Sequence, residues 1–136
     1  MHLVSSIVVV CTLFAGAASY AQNPGGSPEG KKMKNPVASS PASIAAGQQR
    51  FQKMCAFCHG KDATGNGPQA PKGTSPPNLI DDTWDRGSTD GEIFLVIRDG
   101  AGPKFDMKGL KGKLQDPDIW NLVNYLRSIG PQAKFN

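Results

Sequence analysis

Cys55-Ala56-Phe57-Cys58-His59 is the stretch on which the reading of this chain turns. Two cysteines three positions apart lie on one side of a helical turn, where their sulfurs can form thioethers to neighbouring vinyl groups of one porphyrin. His59 follows directly and can present a ring nitrogen to the iron from one face. The pattern is therefore that of covalent haem attachment. A redox dithiol would be expected beside a strand–helix unit, which is not legible here. Half of a zinc site would need further ligands, since zinc normally takes four from the protein.

Working outward to the amino terminus, Leu3 to Ala18 is dominated by Val, Leu, Ile, Ala and Phe, with small residues at Ser19 and Ala21. Residues 1–21 read as a secretory signal peptide, although no Lys or Arg precedes the apolar run. The run is shorter than the roughly 20 apolar residues of a membrane span and is interrupted by Ser5, Ser6 and Thr12, so an uncleaved anchor is the alternative. The expected location is the periplasm, or the periplasmic side of a membrane if the segment stays. Removing it takes away Cys11 and His2, leaving Cys55, Cys58 and His59 as the only cysteines and histidine. Three such ligands do not make a zinc site, and two cysteines this close are no disulfide framework for a small exported domain.

The 136 residues are 38% hydrophobic with a net charge of +4, as for an ordinary soluble domain. Residues 22–42 hold Pro, Gly, Ser and Lys with almost nothing large and apolar, and read as a flexible linker. The folded domain is expected over 43–135. Ile44, Gly47, Gln48, Phe51 and Cys55 mark a helical face, with Ser43 as its cap. From Gly60 to Trp84 turn residues dominate, and a loop this long suits a domain whose chain wraps a cofactor. Thr89-Asp90-Gly91-Glu92 reads as a capping box opening a helix over 90–99, which Gly100 ends. Asp116 caps and Pro117 begins a last helix over 117–129, ended by Gly130-Pro131. The expected fold class is all-α: three main helices and irregular loops around one haem, without paired strands.

The iron's second axial ligand follows largely by exclusion, since no other histidine remains. The candidates are Met33, Met54 and Met107, or a lysine, or an open position; Met33 falls in the linker and Met54 adjoins Cys55 on the His59 side of the ring, which makes Met107 the expected ligand. Its loop also carries Lys104, Lys108, Lys111 and Lys113, while Asp81, Asp82, Asp85, Asp90, Glu92 and Asp99 make the preceding segment acidic. Phe57, Leu79, Phe94, Phe105 and Trp120 are the apolar residues expected around the ring.

Over about residues 44–130 the chain resembles the monohaem class I c-type cytochromes of bacteria. The resemblance implies that Gly47 and Phe51 pack against Leu122 and Tyr125 of the last helix. It implies that the carbonyl of Pro77, or of Pro76, accepts the proton of the proximal imidazole. It also suggests Trp84 and Arg98 as contacts of the haem propionates. The chain departs from the frequent pattern at Lys108, where Pro often follows the methionine. The cofactor expected is one covalently attached haem c, ligated by His59 and Met107, in a single-electron carrier rather than an enzyme. Redox proteins are the expected partners, with an acidic docking face meeting the lysine cluster, and no nucleic acid is expected. The alternatives are a haem subunit anchored to a membrane or dehydrogenase complex, and a ligand-binding or catalytic haem protein with an open iron position.

Overall fold

The computed structural model describes residues 26–102 and 107–130; residues 1–21, Lys104 and Phe105 lie outside them. Helix α1, Pro41–Met54, begins where Ser40 Oγ accepts the Ser43 amide at 3.2 Å and Pro41 supplies a preset φ in the first turn. The cap is thus Ser40 rather than the expected Ser43. Ser43 is buried inside the helix, and its hydroxyl donates to Asn121 Oδ1 at 2.6 Å. A short helix α2, Ala56–His59, follows, and Cys55 between them keeps right-handed helical backbone.

Helix α3, Asp90–Asp99, has the expected reciprocal capping box between Thr89 and Glu92 and ends at Gly100, whose φ is +92°. Helix α4, Asp116–Ile129, starts one residue earlier than expected, flanked by Gln115 without a side-chain cap. Asp116 and Asp118 in its first turn complement the helix dipole.

α1 and α4 cross at Gly47, where an added Cβ would overlap the Asn121 carbonyl and approach Tyr125 Cβ at 2.7 Å. Beside this contact the rings of Phe51 and Tyr125 lie tilted at 5.4 Å, and Arg50 pairs with Asp118. α3 meets α4 through stacked Phe94 and Trp120 rings, 4.1 Å apart, and through Arg127 Nε on Asp90 at 2.7 Å. Phe51, Phe94, Ile119, Leu122 and Val123 form the centre of one core.

Two features depart from the expected pattern. Strands β1, Gly100–Ala101, and β2, Met107–Lys108, pair antiparallel, with Gly100 opposite Lys108 and Ala101 opposite Met107. Two residues a side are too few for an alternation to show in the sequence. The second departure is in the segment read as a linker. A 3-10 turn at Gly30–Lys32 lies on α3, and Met33 and Val37 pack against the core. Glu92 Oε1 accepts the Ser27 amide at 3.2 Å, while Asn124 bonds Asn35 and the Val37 carbonyl. These anchors are mainly hydrogen bonds, so a composition poor in large apolar residues did not disclose them.

Candidate functional site

The end of α1 delivers Cys55 to a single helical turn. The Cys55 carbonyl accepts the amides of Cys58 and His59 at 3.1 and 2.9 Å, and the Ala56 carbonyl accepts that of Gly60. Cys55 and Cys58 are free and half-buried, and His59 is buried. The chain then doubles back over this turn. Amides of Gly65, Gly67 and Gln69 reach the carbonyls of His59, Cys58 and Phe57 at 2.8, 3.0 and 2.8 Å, satisfying acceptors that a helix end leaves open. Gly67 is needed for this approach, since a Cβ there would overlap the Cys58 carbonyl. The Leu79 amide donates to Ala63 at 2.8 Å, and Gly65 lies against the Pro76 carbonyl, which brings the Pro76-Pro77 segment alongside.

Burial pushes the His59 imidazole below its ordinary pKa, and the Pro77 carbonyl partly offsets this. Nδ1 of His59 is buried and has no hydrogen-bond partner among the described residues. Burial, with a smaller contribution from Cys58, pushes the Cys55 thiol up to about 11. That sulfur is neutral at ordinary pH, the reverse of an activated dithiol, and its surroundings suit an uncharged thioether. Among the described residues no group of three or more His, Cys, Asp or Glu could hold a metal ion.

Met107 occupies β2 and packs, half-buried, against the core that also receives Cys55. Of the other methionines, Met33 lies against Gly91 and Met54 is exposed. Trp84 is half-buried with its Nε1 buried and unpartnered, an N–H directed into the interior without an acceptor. Arg98 gives Nε and Nη2 to Asp99 at 2.9 and 2.8 Å and lies 5.4 Å over the Phe94 ring. Its guanidinium is therefore engaged within α3.

Of the apolar residues expected around a ring, Leu79, Phe94 and Trp120 belong to the core or pack on it, whereas Phe57 points outward and is 48% exposed. Two further residues shape the loop over the attachment turn: Gly67, which the sequence marks as part of a turn at Gly65-Asn66-Gly67, and Ala63, which sequence reasoning missed. Ala63 is fully buried at φ +62°, unusual for a residue with a Cβ, and no local signal marks it. The half-buried thiols, the imidazole with a spare nitrogen and the unpartnered Trp84 N–H together fit a haem.

A family model described as "Cytochrome C oxidase, cbb3-type, subunit III" matches residues 42–126, from the first turn of α1 through Cys55–His59 into α4. The chain belongs to this family. A cbb3-type cytochrome c oxidase subunit CcoP from Rubrivivax gelatinosus is 34% identical over 94 residues, covering 68% of this chain and 28% of the relative. Subunit FixPc from Rhizobium leguminosarum bv. viciae is 36% identical over 93 residues, covering 68% and 30%. The chain thus spans less than a third of the length of these relatives.

Among solved structures, cytochrome cL of Methylophaga aminisulfidivorans superposes with a TM-score of 0.55 at 24% identity, covering 78% of this chain and 60% of that one. A Kuenenia stuttgartiensis reducing HAO-like complex superposes at 0.60 and 22%, covering 72% and 49%. These two likenesses speak to the fold. The cbb3 subunit III match and the paired cysteines make the domain a monohaem class I c-type cytochrome, an electron-transfer module whose cofactor is one covalently attached haem c. Among the described residues no helix is long and apolar enough to cross a membrane.

Proposed function

We propose that the chain is a single-electron carrier in which Cys55 and Cys58 hold haem c by thioethers and His59 and Met107 ligate its iron. The observation that carries this reading is the turn Cys55–His59, which offers two half-buried thiols and a buried imidazole from consecutive helical positions. Bound with both axial positions filled, the haem supplies one reversible electron and no open coordination site.

Around it each residue has a separate task. His59 Nδ1 keeps its proton and donates to the Pro77 carbonyl, which orients the ring and leaves Nε2 for the iron. Met107, carried on β2, supplies a neutral thioether that favours the reduced state. Trp84 Nε1 donates to a propionate. Arg98 is the weaker propionate contact, because Asp99 holds two of its donors. Phe94 and Trp120, buried beside Met107 in the same core, exclude water.

Residues 1–21 direct the chain to the periplasm. Exposed Lys108, Lys111 and Lys113 beside Met107 attract an acidic redox partner. A second reading, a haem subunit held in a membrane oxidase complex, is favoured by the names of the cbb3 relatives. Membrane fractionation of the expressed full-length chain separates the two: recovery in the membrane pellet supports the subunit, and recovery in the periplasmic extract supports the carrier.

The ligand set is tested by a Met107→Ala variant. The visible band of iron–methionine ligation disappears while the haem stays attached, the midpoint potential falls, and the reduced protein gains carbon monoxide binding. Prompt, high-affinity carbon monoxide binding by the unaltered protein at neutral pH would falsify the closed site.

A further inference from the structure

An α-helix ends with carbonyls that find no partner inside it, and many helices close them with the residues that follow directly. α3 closes its Val96 carbonyl in this way, with the Gly100 amide. Gly100 then takes φ +92° and ψ 176°, extended backbone open only to glycine, in place of the left-handed turn that folds many chains back over a helix end. The next two carbonyls are met from elsewhere in the chain. Leu110 donates its amide to Ile97 and Lys111 to Arg98, each at 2.9 Å. These donors lie just beyond Met107, at the third and fourth positions after it.

Two glycines permit this approach. A Cβ on Gly109 would lie 2.6 Å from the Arg98 carbonyl oxygen and 2.5 Å from the Asp99 carbonyl carbon. A Cβ on Gly100 would lie 2.7 Å from both the Met107 carbonyl oxygen and the Gly109 amide nitrogen. All four are backbone atoms, which cannot rotate aside. Met107 is therefore bracketed, paired with Ala101 in the strand and followed by a glycine seated on the end of α3. Beyond it the chain turns, with the Lys113 and Leu114 amides on the Leu110 carbonyl at 2.9 and 3.0 Å, and Leu110 and Leu114 pack against the core. The turn that carries His59 is held by the same device: amides of a returning segment meet the Cys58 and His59 carbonyls, and Gly67 sits where a Cβ would overlap.

The geometry points to Gly109 as a positioning residue for the iron's second ligand: it lets the segment carrying Met107 clasp the end of α3, so that backbone contacts hold the thioether in place. The inference rests on the proposed ligation by Met107 and adds what holds that residue. A neutral thioether favours ferrous iron, so its hold is the weaker one once the electron has left. A ligand already fixed in place loses little freedom on binding, which keeps the site closed in both oxidation states. Gly112 supplies a control from the same segment. Its φ is +81°, and a Cβ there meets nothing within 4 Å. Gly112→Ala thus strains the backbone without displacing a neighbour, and Gly109→Ala displaces the end of α3.

The test uses the haem-loaded protein. Gly109→Ala is expected to lose about half or more of the visible band of iron–methionine ligation, and its reduced form to bind carbon monoxide in like proportion, with the haem still attached. Gly112→Ala should keep the whole band and bind no carbon monoxide, even where its melting temperature falls. Amide exchange on the unaltered protein needs no variant and decides the matter if Gly109→Ala fails to take up haem: the Leu110 and Lys111 amides should exchange as slowly as those in the middle of α3. A full band in Gly109→Ala, an equal loss in Gly112→Ala, or Leu110 and Lys111 amides that exchange as fast as exposed loops would each overturn the proposal. If the unaltered protein shows no methionine band, the fault lies in the assignment of Met107 as ligand, and the proposal falls with it.

Discussion

Gly47 shows how much can depend on one missing side chain. Its Cβ would overlap the Asn121 carbonyl, a backbone atom in the middle of α4 that cannot turn aside as a side chain could. Gly47→Ala must therefore separate α1 from α4, and the Phe51–Tyr125 contact with them. The expected cost is about 2–3 kcal/mol, read as a lower denaturant midpoint with an unchanged slope. An unaltered midpoint would mean that the helices do not cross so closely. The need for a small residue at Gly47 was suggested by the family resemblance, whereas the clash that explains it is with Asn121 rather than Leu122. Trp84 is a contrasting case at the same scale: its type suggested a haem contact, but only the fold shows that its N–H is buried without an acceptor.

At the scale of elements, α3 was legible to the residue because its cap is local. Thr89 and Glu92 satisfy each other's backbone amides within one turn, and that logic is written in four consecutive residues. The start of α1 was less legible, because Ser40 and Ser43 can each serve as a cap and burial of Ser43 decides between them. The segment over 27–40 was misread because its anchors lie far along the chain. Glu92 is 2% exposed; besides closing the capping box, its carboxylate takes the Ser27 amide. Glu92→Ala leaves the Ser27 and Thr89 amides without that acceptor, at an expected cost of about 2 kcal/mol. It should also open residues 27–40 to limited proteolysis. A variant of full stability in which that segment stays resistant would show that Glu92 does not hold it.

Across the whole molecule, the chain from Gly60 to Thr89 contains neither helix nor strand, and its described hydrogen bonds are mostly short-range turns with a few ties to α2 and α4. Such a stretch needs an interior partner to be well ordered. Replacing both attachment cysteines, Cys55→Ala/Cys58→Ala, should lower the melting temperature and raise amide exchange first across 60–89, with α1 and α4 remaining better protected. Uniform loss of protection would argue that the haem stabilises all elements alike. Charge also acts at this scale. With a net charge of +4 and exposed Lys108, Lys111 and Lys113 close to Met107 in the chain, electron exchange with an acidic redox protein should slow as ionic strength rises. Rates that stay flat or rise in stopped-flow measurements would remove electrostatic steering from the account.

The proposed chemistry is legible in the chain alone because it lies in short spacings and small counts. Cys55, Cys58 and His59 carry the attachment spacing, and Met107 is proposed as second ligand because the sequence holds no histidine other than His2 and His59. Tertiary structure decided what depends on contacts between distant residues: that Phe57 faces solvent, that Met107 is carried by a two-residue strand, and that residues 27–40 are laid against α3 and α4. Covalent attachment and capping are satisfied within a few consecutive residues. Burial depends on which surfaces the folded chain brings together, and those partners are not adjacent in sequence.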